Sequence, residues 1–208
     1  MNDLKIKVCG MREPINIQAL ASFPIDYMGF IFYEKSARYI AELPTISIPD
    51  RIKKTGVFVN AENTYVDHII AQGLQAVQLH GQESPVFCQE VKKACVEVIK
   101  AFGIGADTRW EALAPYVGIV DYFLFDTSSP QHGGTGRTFD WGLLKNYPYD
   151  VPYFLSGGLD LTNIPSALTI TDERLVGLDI NSKFEVKPGL KDIDKLKQVL
   201  KIIKHEQI

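Results

Sequence analysis

Short apolar runs rich in β-branched and aromatic residues recur along the chain about every 20 to 30 residues, and several alternate with stretches of helical periodicity. Eight such runs read as strands: Ile6 to Cys9, Tyr27 to Phe32, Gly56 to Asn60, Ala76 to His80, Glu97 to Phe102, Tyr122 to Asp126, Tyr153 to Ser156 and Leu175 to Ile180. Between them, Val66, Ile69 and Ile70 fall at helical spacing in a segment opened by Asn63 or Thr64 and closed by Gly73. Ser84 and Pro85 form a good start for the next helix, because a first turn does not need the donor that proline lacks. Ile193, Leu196, Val199, Leu200 and Ile203 give the last segment one apolar stripe to lay against a sheet. Two connections are weak. Arg38 to Lys54 contains Pro44 and Pro49, so a helix there is short or broken, and Leu161 to Arg174 supports one or two turns.

Strands alternating with helices in this rhythm predict an α/β protein with a parallel sheet. Eight of them in 208 residues predict a (β/α)₈ barrel formed as one domain over residues 1–208, with an open doubly wound sheet as the rival. Both folds bind ligands at the carboxyl ends of the strands. Those ends are therefore where candidate chemistry is sought.

Composition narrows the class without changing the picture. Hydrophobic residues make up 46% and charged residues 23%, ordinary for a globular chain, and no Ser, Pro or Gly-rich linker divides it. A net charge of -3 offers no broad basic field for nucleic acid. No apolar run approaches a membrane span, and Met1 to Cys9 lacks a basic-then-apolar leader, so the expectation is a cytoplasmic protein with no membrane partner and the monomer as the default. Cys9, Cys88 and Cys95 show no Cys-x-x-Cys or Cys/His spacing suited to zinc, which predicts no metal site. Cys88 and Cys95, seven apart on one predicted helix, read as small buried hydrophobes.

The strand ends carry the chemistry. Tyr122 to Phe125 fits a strand buried on both faces that stops at a single carboxylate, Asp126. Thr127 to Arg137 follows, with Pro130, Gly133, Gly134 and Gly136 among small polar residues, the composition of a mobile lid. The first strand ends in Cys9, which reads either as core or as a base; catalysis would need the thiolate, hence an electropositive neighbour, and Arg12 is one candidate unless it forms a structural ion pair. Arg38, beyond the second strand, is either a solvated surface residue or a two-pronged grip for a carboxylate. His80 is a structural hydrogen-bonding group or a ligand contact. Gly157 and Gly158 after the seventh strand, with Asp179, Asn181 and Ser182 around the end of the eighth, suit a phosphate held by backbone amides. Together these residues describe a small phosphorylated ligand with a thiol and a carboxylate at its middle and an arginine at its far end, an arrangement for moving protons on a sugar phosphate.

These motifs resemble those of phosphoribosylanthranilate isomerases over nearly the whole chain. The matching stretches are KVCGMR at Lys7 to Arg12, GFIF and SAR within Gly29 to Arg38, GVFVN at Gly56 to Asn60 and VQLHG at Val77 to Gly81. Then come LFDT, GGTG and FDW, LSGGL at Leu155 to Leu159, and GLDINS with PGLKD ending at Asp192. The resemblance implies a (β/α)₈ barrel that carries out an Amadori rearrangement in tryptophan biosynthesis without metal or organic cofactor. By position it implies Asp126 as general acid, Cys9 as general base, Arg38 on the anthranilate carboxylate, and Gly157, Gly158 and Ser182 at the phosphate. The chain departs from the family pattern at Asn181-Ser182-Lys183, where Ser-Ser-Gly is common, and at Ala37, where proline is frequent. Two other classes share part of the pattern: a barrel isomerase or lyase for another sugar phosphate, and a non-catalytic phosphosugar-binding barrel. The first has little use for Arg38, and the second none for Cys9 and Asp126.

Overall fold

The computed structural model describes residues 4–127 and 138–204. Most of the predicted lid, 128–137, lies outside the described residues. Eight parallel strands close into a barrel in sequence order: β1 (Lys5–Val8), β2 (Tyr27–Ile31), β3 (Lys53–Phe58), β4 (Ala76–Leu79), β5 (Glu97–Ile104), β6 (Tyr122–Thr127), β7 (Tyr153–Leu155) and β8 (Leu175–Ile180). Closure is made by β8 against β1, with Lys7 opposite Asp179 and Val8 opposite Ile180. The doubly wound alternative is thereby excluded.

The strand period of two sorts side chains between two cores. Tyr27, Ala76, Ile99, Ala101, Leu124 and Phe154 form one apolar cluster, while Ile6, Val8, Met28, Phe30, Phe123, Phe125, Leu178 and Ile180, at the alternate positions, join the larger cluster that includes the helices. The first set fills the barrel and the second faces outward. Counting along β6, Leu124 in and Phe125 out put Asp126 inward. The same count on β8 puts Asp179 inward, and on β1 puts Lys7 and Cys9 on one face.

The connections follow the expected weaknesses. Helix α1 (Pro14–Leu20) starts with proline in its first turn. Helix α2 (Asn63–Ala71) buries Val66 and Ile69 and ends two residues before Gly73. Helix α3 (Pro85–Lys92) is capped by Ser84, whose Oγ accepts the Phe87 amide at 3.2 Å. Between β2 and β3 no helix forms; the chain is irregular from Phe32 to Ile52, apart from one bridge between Ile31 and Tyr39. Helix α4 (Ile164–Ala167) is a single turn, and α5 (Ile193–Lys204) buries Leu196, Val199, Leu200 and Ile203 as its stripe predicts.

Two expectations need correction, and one element is new. β3 begins at Lys53, earlier than the apolar pattern indicates, because Lys53 lies at its amino end, paired with Glu97. Cys95 is no buried hydrophobe: α3 ends at Lys92, and Cys95 is exposed in a left-handed conformation beyond it, whereas Cys88 is buried as expected. A short hairpin, β9 (Glu185–Lys187) with β10 (Leu190–Lys191), was not foreseen between β8 and α5. Among the described residues no helix is long and apolar enough to cross a membrane.

Candidate active site

At the carboxyl ends of the strands lies a cavity of about 230 Å³. All nine residues singled out from the sequence line it: Cys9, Arg38, His80, Asp126, Gly157, Gly158, Asp179, Asn181 and Ser182. They come from six of the eight strand ends and meet only because the barrel closes.

Asp126, 7% exposed, accepts the Thr127 amide on Oδ1 at 2.7 Å, and its Oδ2 lies 3.5 Å from His80 Nε2. On the other side of the imidazole, His80 Nδ1 is 2.9 Å from the Gln78 side-chain amide. With that amide donating to Nδ1, the ring proton sits on Nε2 and points at Asp126. Gly157 has φ +88, and a Cβ there would fall 2.4 Å from Thr127 Oγ1, 2.6 Å from Thr127 N and 2.7 Å from Asp126 Oδ1. The glycine is thus what allows the β7 exit to close around the carboxylate.

Cys9 is 3% exposed and packs over Gly29, where a Cβ would come within 2.7 Å of the sulfur. Its electropositive neighbour is not Arg12, which is half-exposed and reaches Glu13 at 4.0 Å. The cations near the sulfur are Lys7 and Lys191, both buried. Burial pushes the Cys9 thiol above its ordinary pKa and Asp179 adds to the rise, while Lys7 and Lys191 oppose it. The protonated thiol is therefore favoured at neutral pH.

Arg38 is not a solvated surface group. Its Nε donates to Glu185 Oε1 at 2.9 Å and its Nη2 to Oε2 at 2.6 Å, one full edge of the guanidinium. The other edge, built on Nη1, has no partner among the described residues. Glu185 also accepts Lys191 Nζ at 2.8 Å, and Lys191 donates onward to Asn181 Oδ1 at 2.7 Å. Burial works against the Glu185 carboxylate, but Arg38 and Lys191 hold its pKa below the usual range. Burial brings Lys191 down to about 8 despite Glu185. Asn181 and Asp179 therefore enter the cavity already engaged by protein cations, Asp179 through Lys7 Nζ at 2.9 Å.

At the β7 and β8 exits, the amides of Gly157 and Gly158 have no acceptor among the described residues, and Ser182 opens a 3₁₀ turn, Ser182–Phe184. Lys183 sits inside that turn without a positive φ, so the loop avoids the conformation that the glycine of the common pattern would favour.

Sequence reasoning missed Lys7, Gln78, Glu185 and Lys191. Glu185 and Lys191 ride on the unforeseen hairpin, for which the Pro188-Gly189 turn pair was the available signal. Lys7 was visible as a charged residue on the face of Cys9, two residues away. Gln78 carries an orphan, since its buried Oε1 has no partner among the described residues. A ligand N–H or O–H would satisfy it.

Among the described residues no group of three or more His, Cys, Asp or Glu side chains could hold a metal ion. Fold and cavity define a (β/α)₈ barrel enzyme with its titratable groups gathered at the carboxyl ends of the strands. Residues 6–202 match the family model described as N-(5'phosphoribosyl)anthranilate (PRA) isomerase. The chain is 43% identical to N-(5'-phosphoribosyl)anthranilate isomerase of Parabacteroides distasonis, covering 98% of this chain and 95% of the relative. It is 39% identical to that of Zymomonas mobilis subsp. mobilis, covering 97% and 98%. Among solved structures it is similar to phosphoribosyl anthranilate isomerase from Thermotoga maritima, with TM-score 0.81 and 32% identity over 98% of this chain and 100% of that one. A phosphoribosyl anthranilate isomerase in complex with reduced 1-(o-carboxyphenylamino)-1-deoxyribulose 5-phosphate superposes with TM-score 0.80 at 31% identity, covering 98% and 100%. The chain belongs to the N-(5'-phosphoribosyl)anthranilate isomerase family.

Proposed function

We propose that this protein converts N-(5-phosphoribosyl)anthranilate to 1-(2-carboxyphenylamino)-1-deoxyribulose 5-phosphate, an Amadori rearrangement of tryptophan biosynthesis, with Asp126 as general acid and Cys9 as general base. The observation that carries the reading is that one cavity holds this thiol, this carboxylate, an arginine with a free edge and a pair of unengaged glycine amides. The substrate has a feature for each.

Its phosphate suits the amides of Gly157 and Gly158 and the turn at Ser182, where partial positive charge is fixed without mobile side chains. Its anthranilate carboxylate suits the unengaged edge of Arg38, already held in orientation by Glu185. Between the two, a proton from Asp126 goes to the furanose oxygen. The C1–O bond breaks as the nitrogen lone pair moves in, leaving a Schiff base that acidifies the hydrogen on C2. The Cys9 thiolate takes that proton, the electron pair moves to give the enolamine, and protonation at C1 with loss of the enol proton gives the ketone. Gln78 Oε1 suits a sugar hydroxyl that needs an acceptor. Each proton transfer by a placed group is typically worth about 10² to 10⁴ in rate.

The test is to add the purified protein to freshly made phosphoribosylanthranilate and follow loss of anthranilate fluorescence. Decay well above the spontaneous breakdown rate, with the deoxyribulose phosphate as product, is expected. Decay at the spontaneous rate would refute the reading.

A further inference from the structure

The interior of a (β/α)₈ barrel is a packed core, so an ammonium group inside one calls for a reason. Lys7 is 0% exposed and precedes Cys9 by two residues, which places both side chains on the inner face of β1. Its partner across the sheet is Asp179 on β8, and Lys7 Nζ meets Asp179 Oδ1 at 2.9 Å. Replacing such a pair by apolar residues of similar size is often neutral or stabilising, so folding alone gives it little purpose. The sulfur beside it supplies one: a buried thiolate needs a counter-ion already in place.

We propose that Lys7 is the positioning residue of the base, its Asp179-held ammonium being the counter-ion against which the Cys9 thiolate forms. This rests on the reading of Cys9 as general base. Three charged groups face the sulfur: Lys7 from its own strand, Asp179 from β8 and Lys191 from β10, while Gly29 on β2 brings no charge. Behind them, Asp126 and His80 face Asp179, and Glu185 and Arg38 face Lys191. Burial disfavours the Lys7 ammonium, but Asp179 and Cys9 outweigh it and leave its pKa raised, so the lysine stays charged at neutral pH. Asp179 in turn keeps that charge from being fully available to the sulfur. Removing either partner therefore moves the thiol in opposite directions.

The experiment measures the sulfur rather than turnover. In the full chain carrying Cys95→Ser, which removes the exposed thiol and leaves Cys88 buried, iodoacetamide labelling of Cys9 is followed by peptide mass across pH. Lys7→Met should slow labelling at about pH 8.5 by about tenfold or more, since each unit of upward shift removes about nine-tenths of the thiolate. Asp179→Asn should accelerate it and move the midpoint to lower pH, because the Lys7 ammonium is left with the sulfur as its nearest anion. Loosened packing would speed labelling in both, so opposite signs mark an electrostatic role. Wild-type or faster labelling in a folded Lys7→Met protein overturns the proposal. If that variant does not fold, unchanged or slower labelling in Asp179→Asn overturns it alone. A thiol that responds as expected in a protein without isomerase activity would sink the proposed reaction, and with it the role of a base, while showing that Lys7 still sets the acidity of the Cys9 sulfur.

Discussion

Gly157→Ala is the substitution that most sharply links backbone geometry to chemistry here. At φ +88 an alanine costs roughly 1–2 kcal/mol, and its methyl would sit 2.6 Å from the backbone nitrogen of Thr127 and 2.7 Å from Asp126 Oδ1. No side-chain rotation relieves a clash with backbone, so the turn holding Asp126 must retreat, adding overpacking strain of roughly 1–3 kcal/mol. For a chain of this length the sum lowers Tm by roughly 4–20 °C. If the retreat carries Asp126 about 1 Å from its place, its proposed proton transfer to the furanose oxygen should lose about 10²-fold in kcat. Gly118→Ala is the control: its φ is +80, but nothing lies within 4 Å of an added Cβ, so it should lose stability alone. Both proteins are compared by thermal melting and by fluorescence-detected turnover. If Gly157→Ala melts early yet keeps kcat and KM within twofold of the parent, the position of Asp126 does not matter to the reaction and the reasoning fails.

Arg38→Lys keeps the charge but loses the fork, so KM should rise about 10 to 100-fold with kcat little changed, as steady-state kinetics would report. Glu185→Gln removes the carboxylate shared by Arg38 and Lys191; breaking a buried pair from one side costs about 3–5 kcal/mol, to be seen as a lower Tm together with a raised KM. On the acid side, Asp172 is raised by burial but held below the ordinary carboxylate pKa by Arg174, which it meets at 2.8 Å. A depressed folded pKa contributes stability above the ordinary value that is lost as pH falls through the depressed one. The Tm deficit of Arg174→Met should therefore be largest near neutral pH and shrink below about pH 4; a deficit independent of pH would contradict the linkage.

The barrel was legible because eight short apolar runs recur along the chain, several of them separated by stretches of helical periodicity. Continuous apolar runs such as Tyr122 to Phe125 mark the buried strands and the stripe from Ile193 to Ile203 marks what covers the outside, while which side chains face inward emerges only with the closed barrel. The rule of strand ends, applied where those runs stop, brought out Cys9, His80, Asp126 and Asp179 before any coordinates. What stayed hidden was pairing between distant elements. Nothing local in Glu185 or Lys191 tells that a two-strand hairpin folds back over the β8 exit to fasten Arg38, and a lysine at position 7 looks like a strand-end charge until β8 closes against β1. Of the two readings left open for Arg12, the structure gives the ion pair, with Glu13, and hands the place beside Cys9 to Lys7 and Lys191; sequence neighbours are visible, spatial neighbours are not.

The central claim is that Cys9 and Asp126 act on one substrate within the one cavity they both line. Its most direct test is turnover of phosphoribosylanthranilate by Cys9→Ala, Asp126→Asn and the double variant, each checked for an intact fold. Each single variant is expected to lose at least about 10² in kcat, and the double to be little worse than the poorer single, as befits groups serving one sequence of steps. Near-parental turnover by either folded single variant would contradict the account.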